Sequence, residues 1–411
     1  NVTARVPWAP AKSGNIQRPV GHNFFADDAS HNLYFADGVN VPMVYNRSES
    51  IIQPISSDYR TLDVVASHVI AHNGRLMIAT GSTYLTSVAG EPTVLDGFLG
   101  ATEIGVGDVI TGFAATSSDN LAIFTRQQTH AVKGTDASNW EKRILSSNSG
   151  AIKGCIAQID DVFVSDDRGI AQLSRVEALG GFDAGMVTDD IQTMFKAIAV
   201  NGTCAMTSRK LNQMRFYYGK NFLMLSRVVY NANGNMGTRY GITEGINPID
   251  VLCIHAGEDA NGDERILFGS EDGFIYHMDS GTSYDGAVMD FSLSLTYNHL
   301  GSPTVKKRFS GIEIEAKTLG DASCNVYYFM NDGRKSFNAR NLKFPGAPGK
   351  FDISKYDEAT FDSIPITRPK MTMRGTGYNL QLSFFRRSAH EPQLTITGYA
   401  LRYKERGPVP L

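Results

Sequence analysis

Short runs of apolar residues alternate with polar turns over the first two thirds of this 411-residue chain. A polar turn, a short apolar run, a second turn and a second apolar run recur six times between residues 30 and 280. The six starting turns lie near residues 32, 74, 120, 161, 212 and 263, so the repeat is 41 to 51 residues long. This is the length of a four-stranded blade, and it predicts a β-propeller of about six blades. The alternative is an irregular multi-sheet β protein whose hairpins are evenly spaced.

The residue types in the repeat favour tight hairpins between buried strands. Asn73-Gly74 and Asn261-Gly262 accept a positive φ and therefore close short turns. The apolar runs are rich in Ile, Val, Phe and Tyr, which fit a pleated, half-buried surface. The clearest runs are Leu76-Met77-Ile78, Leu121-Ala122-Ile123-Phe124, Val162-Phe163-Val164, Met214-Arg215-Phe216-Tyr217-Tyr218 and Ile266-Leu267-Phe268.

One segment between the fourth and fifth repeats departs from this pattern. Apolar residues recur there with the i, i+3, i+4, i+7 spacing of one helix face, and two acidic residues precede them. The spacing predicts a short amphipathic helix over residues 189–198, capped by Thr188 and covering one edge or face of the propeller. The apolar positions are Ile191, Met194, Phe195 and Ile198, and the acidic ones are Asp189 and Asp190.

From about Gly286 the rhythm changes to longer strands in which apolar and polar residues alternate. Period-two alternation without the blade-length repeat predicts a separate antiparallel β-sandwich, jelly-roll-like in character. We therefore expect an all-β fold with an N-terminal arm at residues 1–20, the propeller at 21–285 and the sandwich at 286–411. Residues 341–366, with three prolines, predict a long loop. The expected strands are 289–297, 309–317, 326–329, 371–373, 380–384 and 394–403, with a hairpin turn at Asn331-Asp332-Gly333.

Charge limits the class of partner. With 39 basic and 42 acidic residues the formal net charge is -3, which argues against binding nucleic acid through an overall positive coat. A surface that DNA merely slides past is still compatible with this charge. One local basic run, Lys306-Lys307-Arg308, lies between two predicted sandwich strands, and Arg386-Arg387 ends another. We expect the run at 306–308 to be a loop, either solvated, or a subunit contact, or a place where passing DNA is touched.

The four cysteines lie far apart and lack metal-ligand spacing. Cys155, Cys204, Cys253 and Cys324 form no C-x-x-C pair, so we expect reduced, buried thiols and no metal site. No run approaches the roughly 18 apolar residues of a membrane helix, and the N-terminus lacks an apolar signal core. The protein is expected to be soluble and made in a cytoplasm. Residue 1 is Asn rather than Met, which leaves an upstream extension open.

Two segments begin like known functional motifs but lack residues that those motifs usually have. Residues 259–263 begin like a calcium loop, but Glu264 stands where Gly is needed and Ser270 where a bidentate Glu would sit, which favours a polar hairpin turn. Residues 165–169 resemble the Asp-box turn of sialidase propellers, in which the Asp holds backbone N–H groups and the Gly adopts a backbone conformation closed to other residues. Leu173 replaces the usual following aromatic residue. Because no catalytic motif is present, we predict no enzyme activity, no catalytic residue and no cofactor.

Two stretches carry motifs in a recognisable order. In residues 110–173 a blade strand is followed by a Ser/Gly-rich turn and a Gly-containing return, and residues 291–403 carry a series of sandwich motifs. The first series is Asn120-Leu121-Ala122-Ile123-Phe124, Thr129-His130-Ala131-Val132-Lys133-Gly134, Trp140, Asn148-Ser149-Gly150-Ala151-Ile152-Lys153-Gly154-Cys155-Ile156 and Asp161-Val162-Phe163-Val164-Ser165. The second is Lys307-Arg308-Phe309, Tyr327-Tyr328-Phe329-Met330-Asn331-Asp332-Gly333 and Thr395-Ile396-Thr397-Gly398-Tyr399. In these motifs, and in the helix at 189–198, nearly half of the chain resembles the podovirus tail nozzle, also called tubular tail protein B or packaged-DNA stabilisation protein.

The resemblance implies a structural virion protein of a short-tailed bacteriophage, made in the host cytoplasm, without catalytic residues or cofactors. It implies that several copies, expected to be six, form a ring that extends the portal-adaptor channel, retains packaged DNA and conducts it during ejection. The implied partners are other copies of the chain, the portal-adaptor proteins, tail fibre or tail spike/needle proteins, and double-stranded DNA that passes weakly and non-specifically. A repeat scaffold with a sandwich attached offers side surfaces for ring packing, and mild net acidity would keep DNA from sticking.

The competing class is a carbohydrate-binding or carbohydrate-active propeller of the sialidase type, with an aromatic-lined pocket at its mouth. It would need two carboxylates facing a sugar, or a Tyr nucleophile with clustered Arg for an acidic sugar. The presence of only two Trp, the absent secretion signal and Leu173 weigh against it. A third class is an intracellular interaction propeller.

Overall fold

The chain is all-β, as predicted: of the residues that the structure describes, 56% lie in strands and 7% in helices. The computed structural model describes residues 19–22, 24, 32–57, 60–61, 64–116, 120–135, 139–179, 181–199, 202–232, 235–318, 320–346 and 366–406. The chain divides into two compact units, Asn1–Asp279 and Ser280–Leu411. The boundary expected from the sequence, after residue 285, lies six residues later. Of the expected N-terminal arm, residues 1–18 lie outside the described residues.

Six antiparallel sheets of three or four strands follow one another along the described part of the first unit, and each uses strands that are consecutive in sequence. The first three sheets are β1 Val20–Gly21, β2 Leu33–Phe35, β3 Met43–Asn46 and β4 Ile51–Pro54; β7 His68–His72, β8 Arg75–Thr80, β9 Thr83–Thr86 and β10 Thr102–Gly105; and β11 Ile110–Ala115, β12 Leu121–Thr125, β13 Thr129–Lys133 and β14 Glu141–Ser146. The next three are β15 Ile156–Ile159, β16 Asp161–Ser165 and β17 Ile170–Gln172; β18 Gly202–Ser208, β19 Gln213–Tyr218, β20 Asn221–Ala232 and β21 Asn235–Ile246; and β22 Cys253–Glu258, β23 Glu264–Gly269 and β24 Ile275–Met278. A small extra pair consists of β5 Ser56–Ser57 and β6 Arg60–Thr61, and a 3-10 helix spans Gly97–Leu99.

The first strand of each sheet lies against the first strand of the next sheet. The strand β7 contacts β11, β11 contacts β15, β15 contacts β18, and β18 contacts β22, while β1 and β2 contact β7. The later strands of each sheet follow outward in sequence order. Inner strands side by side with meandering sheets behind them are the arrangement of propeller blades, so the six sheets are the blades that the repeat predicted.

Apolar layers between neighbouring blades form the core of this unit. Tyr34 of the first blade shares a layer with Leu76 of the second, and Phe163 of the fourth shares one with Phe216 of the fifth. The second strands of the second to fifth blades are buried on both faces along most of their length, and all five residues of β12 are buried. Full burial of one large apolar side chain such as Phe124, which is 0% exposed, contributes about 1.5–3 kcal/mol. The blade interfaces are therefore the main source of stability in this unit.

The predicted repeat has the period of the sheets, and the turns that mark it do not fall at the start of each sheet. Its six turns lead into the second strand of each sheet, not the first, as Asn73–Gly74 leads into β8 and Asn212 into β19. Asn73 and Asn212 do adopt a positive φ there. Strands buried on both faces form continuous apolar runs, which makes the second strands conspicuous in the sequence. First strands such as β7 carry mixed residues and are not conspicuous.

The predicted helix is present and covers the junction of two blades. It begins as a 3-10 turn at Asp189–Ile191 and continues as an α-helix over Gln192–Ile198, here α3. Phe195 is fully buried in the layer between the fourth and fifth blades. The predicted cap is wrong, because the Thr188 hydroxyl instead accepts a hydrogen bond of 2.9 Å from the backbone N–H of Ile170. Two helices that the sequence pattern did not predict are α1 Leu173–Leu179 and α2 Phe182–Gly185.

The second unit is a sandwich of two antiparallel sheets. Its strands are β25 Met289–Ser294, β26 Lys306–Thr318, β27 Ala322–Met330, β28 Lys335–Phe344, β29 Ile366–Thr367, β30 Lys370–Gly377, β31 Leu380–Ser388 and β32 Leu394–Arg406. One sheet, the β27 sheet, has the order β25-β31-β27-β28. In the other, the β26 sheet, β26 pairs with β32 on one side and with β30 and β29 on the other. The chain therefore crosses repeatedly between the two sheets.

The sandwich core confirms the alternation in the sequence. Along β27 buried and half-buried residues alternate at every position, and the buried side chains of Val326 and Phe384 meet those of Phe309 and Ile314 from the other sheet. The predicted loop at 341–366 is wrong at its start, because β28 continues to Phe344. The apolar residues of β28 are few and stand among basic and amide residues, so the sequence does not show the alternation of apolar and polar residues that is typical of a strand. Residues 347–365 of that loop lie outside the described residues.

Candidate nucleic-acid interface

The basic run singled out in the sequence begins a strand. Lys306, Lys307 and Arg308 are the first residues of β26 and pair with β32. The chain turns just before them, where Leu300 and Gly301 have a positive φ. The prediction of a loop at 306–308 is therefore wrong. Three consecutive charged residues are typical of a loop in sequence, but here their backbone is held in a strand by hydrogen bonding to β32. Successive side chains in a strand point to opposite faces, so the run is split between two environments.

Lys307 points into the protein and is 0% exposed. Its ammonium group donates hydrogen bonds to the backbone carbonyl oxygens of Ser302, at 2.7 Å, and Val305, at 3.1 Å. A buried ammonium group is tolerated only when its donors find acceptors, and these two carbonyls supply them. Lys307 therefore holds the turn before β26 in place and is not available to a subunit or to DNA.

Lys306 and Arg308 lie on the outer face of the β26 sheet, opposite two further cations. The register places Lys306 across from Arg406, and Arg308 across from Lys404. Side chains directly opposite each other in an antiparallel pair have Cβ atoms about 4.5–5.5 Å apart. Like charges in that position repel and destabilise the pairing. Two such rows in succession are a concentration of positive charge that the fold itself does not need.

A fifth cation joins this group from the other side of β26. Arg308 is opposite Thr376 of β30, and Arg374 lies two residues before Thr376 and so on the same face. In the part of the chain that the structure describes, none of the five cations has a carboxylate within 4.0 Å. We name the five the basic face. Its residues are Lys306, Arg308, Arg374, Lys404 and Arg406.

Three other cations on the same sheet face are paired with carboxylates. Glu313 accepts ion pairs from Arg402, at 3.3 Å, and from Lys370, at 3.6 Å. Glu315 pairs with Arg368 at 2.7 Å, and the hydrogen bond from Arg368 lowers the pKa of Glu315. The Glu315 carboxylate therefore stays ionised near neutral pH. Among the described residues of this face, the cations without a carboxylate within 4.0 Å are the five of the basic face, at the end where β26 begins and β32 ends, and Lys317 at the other end.

The chemistry of the basic face suits a polyanion. Neighbouring strands are about 4.8 Å apart and alternate residues on a strand about 6.6 Å apart. The cations are therefore spread over a flat sheet face, and no helix or β-ribbon projects from among them. Such a surface can contact phosphates, which position a nucleic acid, but it has no element that would enter a groove and read base edges. Contacts of this kind release counterions and weaken as salt rises.

Part of this site had a signal in the sequence. Arg402, Lys404 and Arg406 recur at every second position, which would place three cations on one face of the last expected strand if it continued past residue 403. Their proximity to Lys306 and Arg308, about 100 residues earlier in the chain, follows only from the pairing of β26 with β32. The second basic pair noted in the sequence does not join them: Arg386 and Arg387 contact acidic partners, Glu391 at 3.3 Å and Asp290 at 3.4 Å.

The turn that resembles an Asp box connects β16 and β17. The Asp at the third position of the turn is Asp167, and its carboxylate pairs with Arg126 instead of holding backbone N–H groups, while its own backbone N–H donates a hydrogen bond of 2.6 Å to Asp166. Gly169 does not have a positive φ, so the expected reason for the glycine is wrong. A Cβ at Gly169 would lie 2.6 Å from the Thr188 hydroxyl oxygen, and this close approach is what requires a glycine.

The segment that begins like a calcium loop is the polar hairpin turn between β22 and β23. Asp259 accepts hydrogen bonds from the backbone N–H groups of Asn261, at 2.9 Å, and Asp263, at 3.0 Å. A hydrogen bond from Arg265 lowers the pKa of Asp259. Its carboxylate is therefore used to close the turn.

The cysteines are unbonded, as predicted, and three of the four are buried. Cys253 is only half-buried, which departs from the expectation. Burial raises the pKa of Cys324 to about 11. Over the described ranges, no group of three or more His, Cys, Asp or Glu side chains is placed to hold a metal ion. The same ranges contain no helix long and apolar enough to cross a membrane.

Two adjoining polar clefts lie beside the β15–β16 hairpin, with volumes of about 320 and 520 Å³. They share Asp160 and Arg227, which form an ion pair. Tyr240 contributes an aromatic ring that packs edge-on against Phe163 at 5.0 Å, and burial raises the pKa of its hydroxyl. The other lining residues are Gln158, Ile159, Asp161, Gln172, Ser174, Arg175, Arg209, Asn212 and Thr238.

The sequence matches no known protein family and no curated protein. Among solved structures, the extracellular domain of the putative one component system BT4673 from B. thetaiotaomicron is similar at 12% identity and a TM-score of 0.38. That match covers 78% of this chain but only 37% of that domain, so the chain spans well under half of its length. Hsv2 from K. marxianus is similar at 9% identity and a TM-score of 0.35, over 62% of this chain and 72% of that one. Likenesses this weak carry no argument about fold or function.

Proposed function

We propose that this chain is a structural subunit of the tail nozzle of a short-tailed bacteriophage. Copies of it, expected to be six, form a ring that extends the portal-adaptor channel, retains packaged DNA and conducts it during ejection. Its other partners are the portal-adaptor proteins and tail fibre or tail spike/needle proteins. The resemblance of residues 110–173 and 291–403 to the nozzle family motivates the proposal.

The observation that carries the proposal is the basic face of the sandwich. The chain as a whole is acidic, with a net charge of -3, yet one end of one sheet gathers five cations without acidic partners among the described residues. A conduit must attract DNA enough to guide it and little enough to release it. A small basic face on an acidic body supplies weak, sequence-independent contact of this kind.

Binding of random-sequence duplex DNA across a salt series tests the proposal. We expect weak binding whose logarithm falls with log salt with a slope no steeper than about -4.5, since at most five phosphates are neutralised per subunit. The double variant R308Q/K404Q should flatten the slope by about 2 units. K370Q is the matched control, because Lys370 lies on the same sheet face but is paired with Glu313.

Two results would contradict the nozzle proposal. One is a slope equivalent to six or more neutralised phosphates, steeper than about -5, from a protein that stays monomeric in the presence of its portal complex. The other is unchanged DNA binding in R308Q/K404Q, which would remove the basic face from the argument. Loss of binding in K370Q to the same extent as in the double variant would mean that net charge, not this face, is responsible.

A second candidate function, binding or cleavage of an acidic saccharide by the propeller, is favoured by the polar cleft around Tyr240. Two arginines, Arg175 and Arg227, and the carboxylates of Asp160 and Asp161 line the same cleft. These are the residue types that the sequence argument required for such chemistry. Screening the pure protein for turnover and retention of sialylated and other acidic glycans tests it. Turnover that Tyr240→Phe abolishes would replace the nozzle proposal by an enzyme.

A further inference from the structure

The sixth blade lacks a fourth strand among the described residues. Four of the six blades have four strands, whereas the fourth and the sixth have three. In the fourth blade the outer edge of β17 is covered, since Met186 forms a β-bridge with Ala171. The backbone N–H of Val187 also donates a hydrogen bond of 2.8 Å to the Ile170 carbonyl oxygen. In the sixth blade no described strand lies beyond β24, which pairs with β23.

Two backbone N–H groups of β24 point to its outer side. At the turn into β24, the backbone N–H of Ser270 donates a hydrogen bond of 3.3 Å to the Phe274 carbonyl oxygen, so these two residues are a hydrogen-bonded pair. Hydrogen-bonded and non-hydrogen-bonded pairs alternate along an antiparallel ladder. Ile275 and His277 therefore occupy non-hydrogen-bonded positions opposite β23, and they direct their N–H and C=O groups away from it.

The outer edge of β24 has none of the features that usually protect an edge. The strand Ile275–Met278 contains no Lys, no Pro and no acidic residue, and its pairing with β23 has no bulge. Proteins usually protect edges with such features, because an unprotected row of N–H and C=O groups pairs with another strand. The edge of β24 is therefore suited to receive a further strand.

The residues that follow β24 do not supply this strand. Residues 280–288 are described, and the next strand, β25, belongs to the sandwich. Of the stretches before Asp279 that lie outside the described residues, residues 1–18 are the longest. The next longest, residues 25–31, joins β1 to β2 within the first blade. Residues 1–18 alone are long enough for a strand together with a connection to another blade.

The start of the chain has the sequence pattern of a short strand. Apolar and polar residues alternate over residues 2–6, Val-Thr-Ala-Arg-Val, and three of these five are β-branched. Pro7 follows and ends the run, because proline has no N–H group for a ladder.

We infer that residues 2–6 form the fourth strand of the sixth blade, paired with the outer edge of β24 of the same chain. This pairing closes the propeller, because the sixth blade is then joined through residues 7–19 to β1, the innermost strand of the first blade. Other blades are connected in the same way: the outer strand β10 leads into the inner strand β11, and β21 leads into β22. The inference does not depend on the ring proposed above.

The length of the connection favours pairing within one chain. Residues 7–19 are as many as residues 55–67, which join the outer strand β4 to the inner strand β7 of the next blade. A flexible connection this short holds the strand near β24 at a local concentration of roughly millimolar order. The same strand from a second copy lacks this advantage.

Hydrogen exchange of the full chain tests the added strand. The amides of Ile275 and His277 should be protected in the wild type. Adjacent N–H groups point to opposite sides of a strand, so T3P/A4P removes a ladder N–H in either register. This double variant should speed exchange at Ile275 and His277 at least about tenfold, the factor that two lost hydrogen bonds are worth. K12P/S13P, in the connection, is the matched control and should leave exchange unchanged. Fast exchange of both amides in the wild type, or equal exchange in the wild type and T3P/A4P, overturns the inference.

A thiol cross-link identifies the chain that supplies the strand. In Arg5→Cys/His277→Cys, a flexible bis-maleimide should join the two positions within one chain, detected as a linked peptide pair in protein of monomer mass. Arg5→Cys/Ile144→Cys is the matched control, since Ile144 on β14 is 57% exposed but belongs to the third blade, and no such link should form. A link between positions 5 and 277 of different chains would mean that a second copy supplies the strand, and would overturn closure within one chain. Absence of any link between these positions would also overturn it.

Discussion

Neighbouring residues in this chain can have opposite environments. Lys307 is fully buried and bonded to two carbonyl oxygens, while Arg308 is exposed on the basic face. The difference comes from strand alternation alone, since both residues belong to β26. A basic run in sequence is therefore two features here, one that holds a turn and one that is presented to a partner.

His68 is a half-buried base whose ring lacks a full set of hydrogen-bond partners among the described residues. Its Nδ1 lies 3.0 Å from the Ser67 hydroxyl, and its Nε2 has no hydrogen-bond partner among the described residues. Burial, together with the positive charge of Lys153, lowers the pKa of His68 to about 3. In the unfolded chain an ordinary histidine takes up its proton near pH 6.5. The unfolded state therefore binds more protons than the folded state between about pH 6.5 and 3.

We predict that His68→Gln flattens the loss of stability in acid. As pH falls from 7 to 4.5, the wild type should lose about 2.5 kcal/mol more unfolding free energy than the variant, since each pH unit below the unfolded pKa is worth about 1.36 kcal/mol. Urea unfolding at the two pH values measures this difference. His277→Gln, at an exposed position, is the control. Parallel loss in the wild type and in His68→Gln would show that His68 is protonated in the folded protein.

At the scale of elements, the connection between the third and fourth blades depends on a close backbone approach. The segment after β14 passes so near the end of β12 that a Cβ at Gly150 would lie 2.0 Å from the Thr125 carbonyl oxygen. The backbone N–H of Ala151 donates a hydrogen bond of 3.0 Å to the same oxygen. Only a glycine lets the two segments pack in this way.

Gly150→Ala should therefore destabilise the propeller by more than about 2 kcal/mol, in the range of severe single substitutions. Gly181→Ala is the matched control, because a Cβ there has no atom within 4 Å, and it should change stability by less than about 0.5 kcal/mol. Chemical unfolding of both variants distinguishes them. Equal, small effects would mean that the segment shifts to accommodate a side chain.

At the scale of the whole molecule, the two compact units have separate cores. The sandwich core contains residues from Phe309 to Phe384, and the blade layers use residues before Asp279. Units with their own cores unfold as separate cooperative transitions unless a large interface couples them. We predict more than one transition in calorimetry of the full chain.

Substitutions should identify the transitions. Gly150→Ala is expected to lower the midpoint of the propeller transition and to leave that of the sandwich unchanged. Val326→Ala, a cavity in the sandwich core at a fully buried position, should do the reverse, at a cost of about 2 kcal/mol or more. One transition that both variants lower together would contradict two independent units.

Much of the fold was determined by the sequence because it depends on local periodicity. The blade-length repeat, the amphipathic spacing of residues 189–198 and the alternation after Gly286 each follow from how side chains must be distributed to bury one face. The tertiary structure decided what periodicity cannot contain. It set which strand of each blade is innermost. A strand that is buried on both faces is a continuous apolar run, and such a run does not show which neighbouring strand lies on the inner side. It also turned Lys307 inward and assembled the basic face. The strands of that face, about 100 residues apart in the chain, became neighbours only through long-range pairing, and the register of that pairing decided which side chains met.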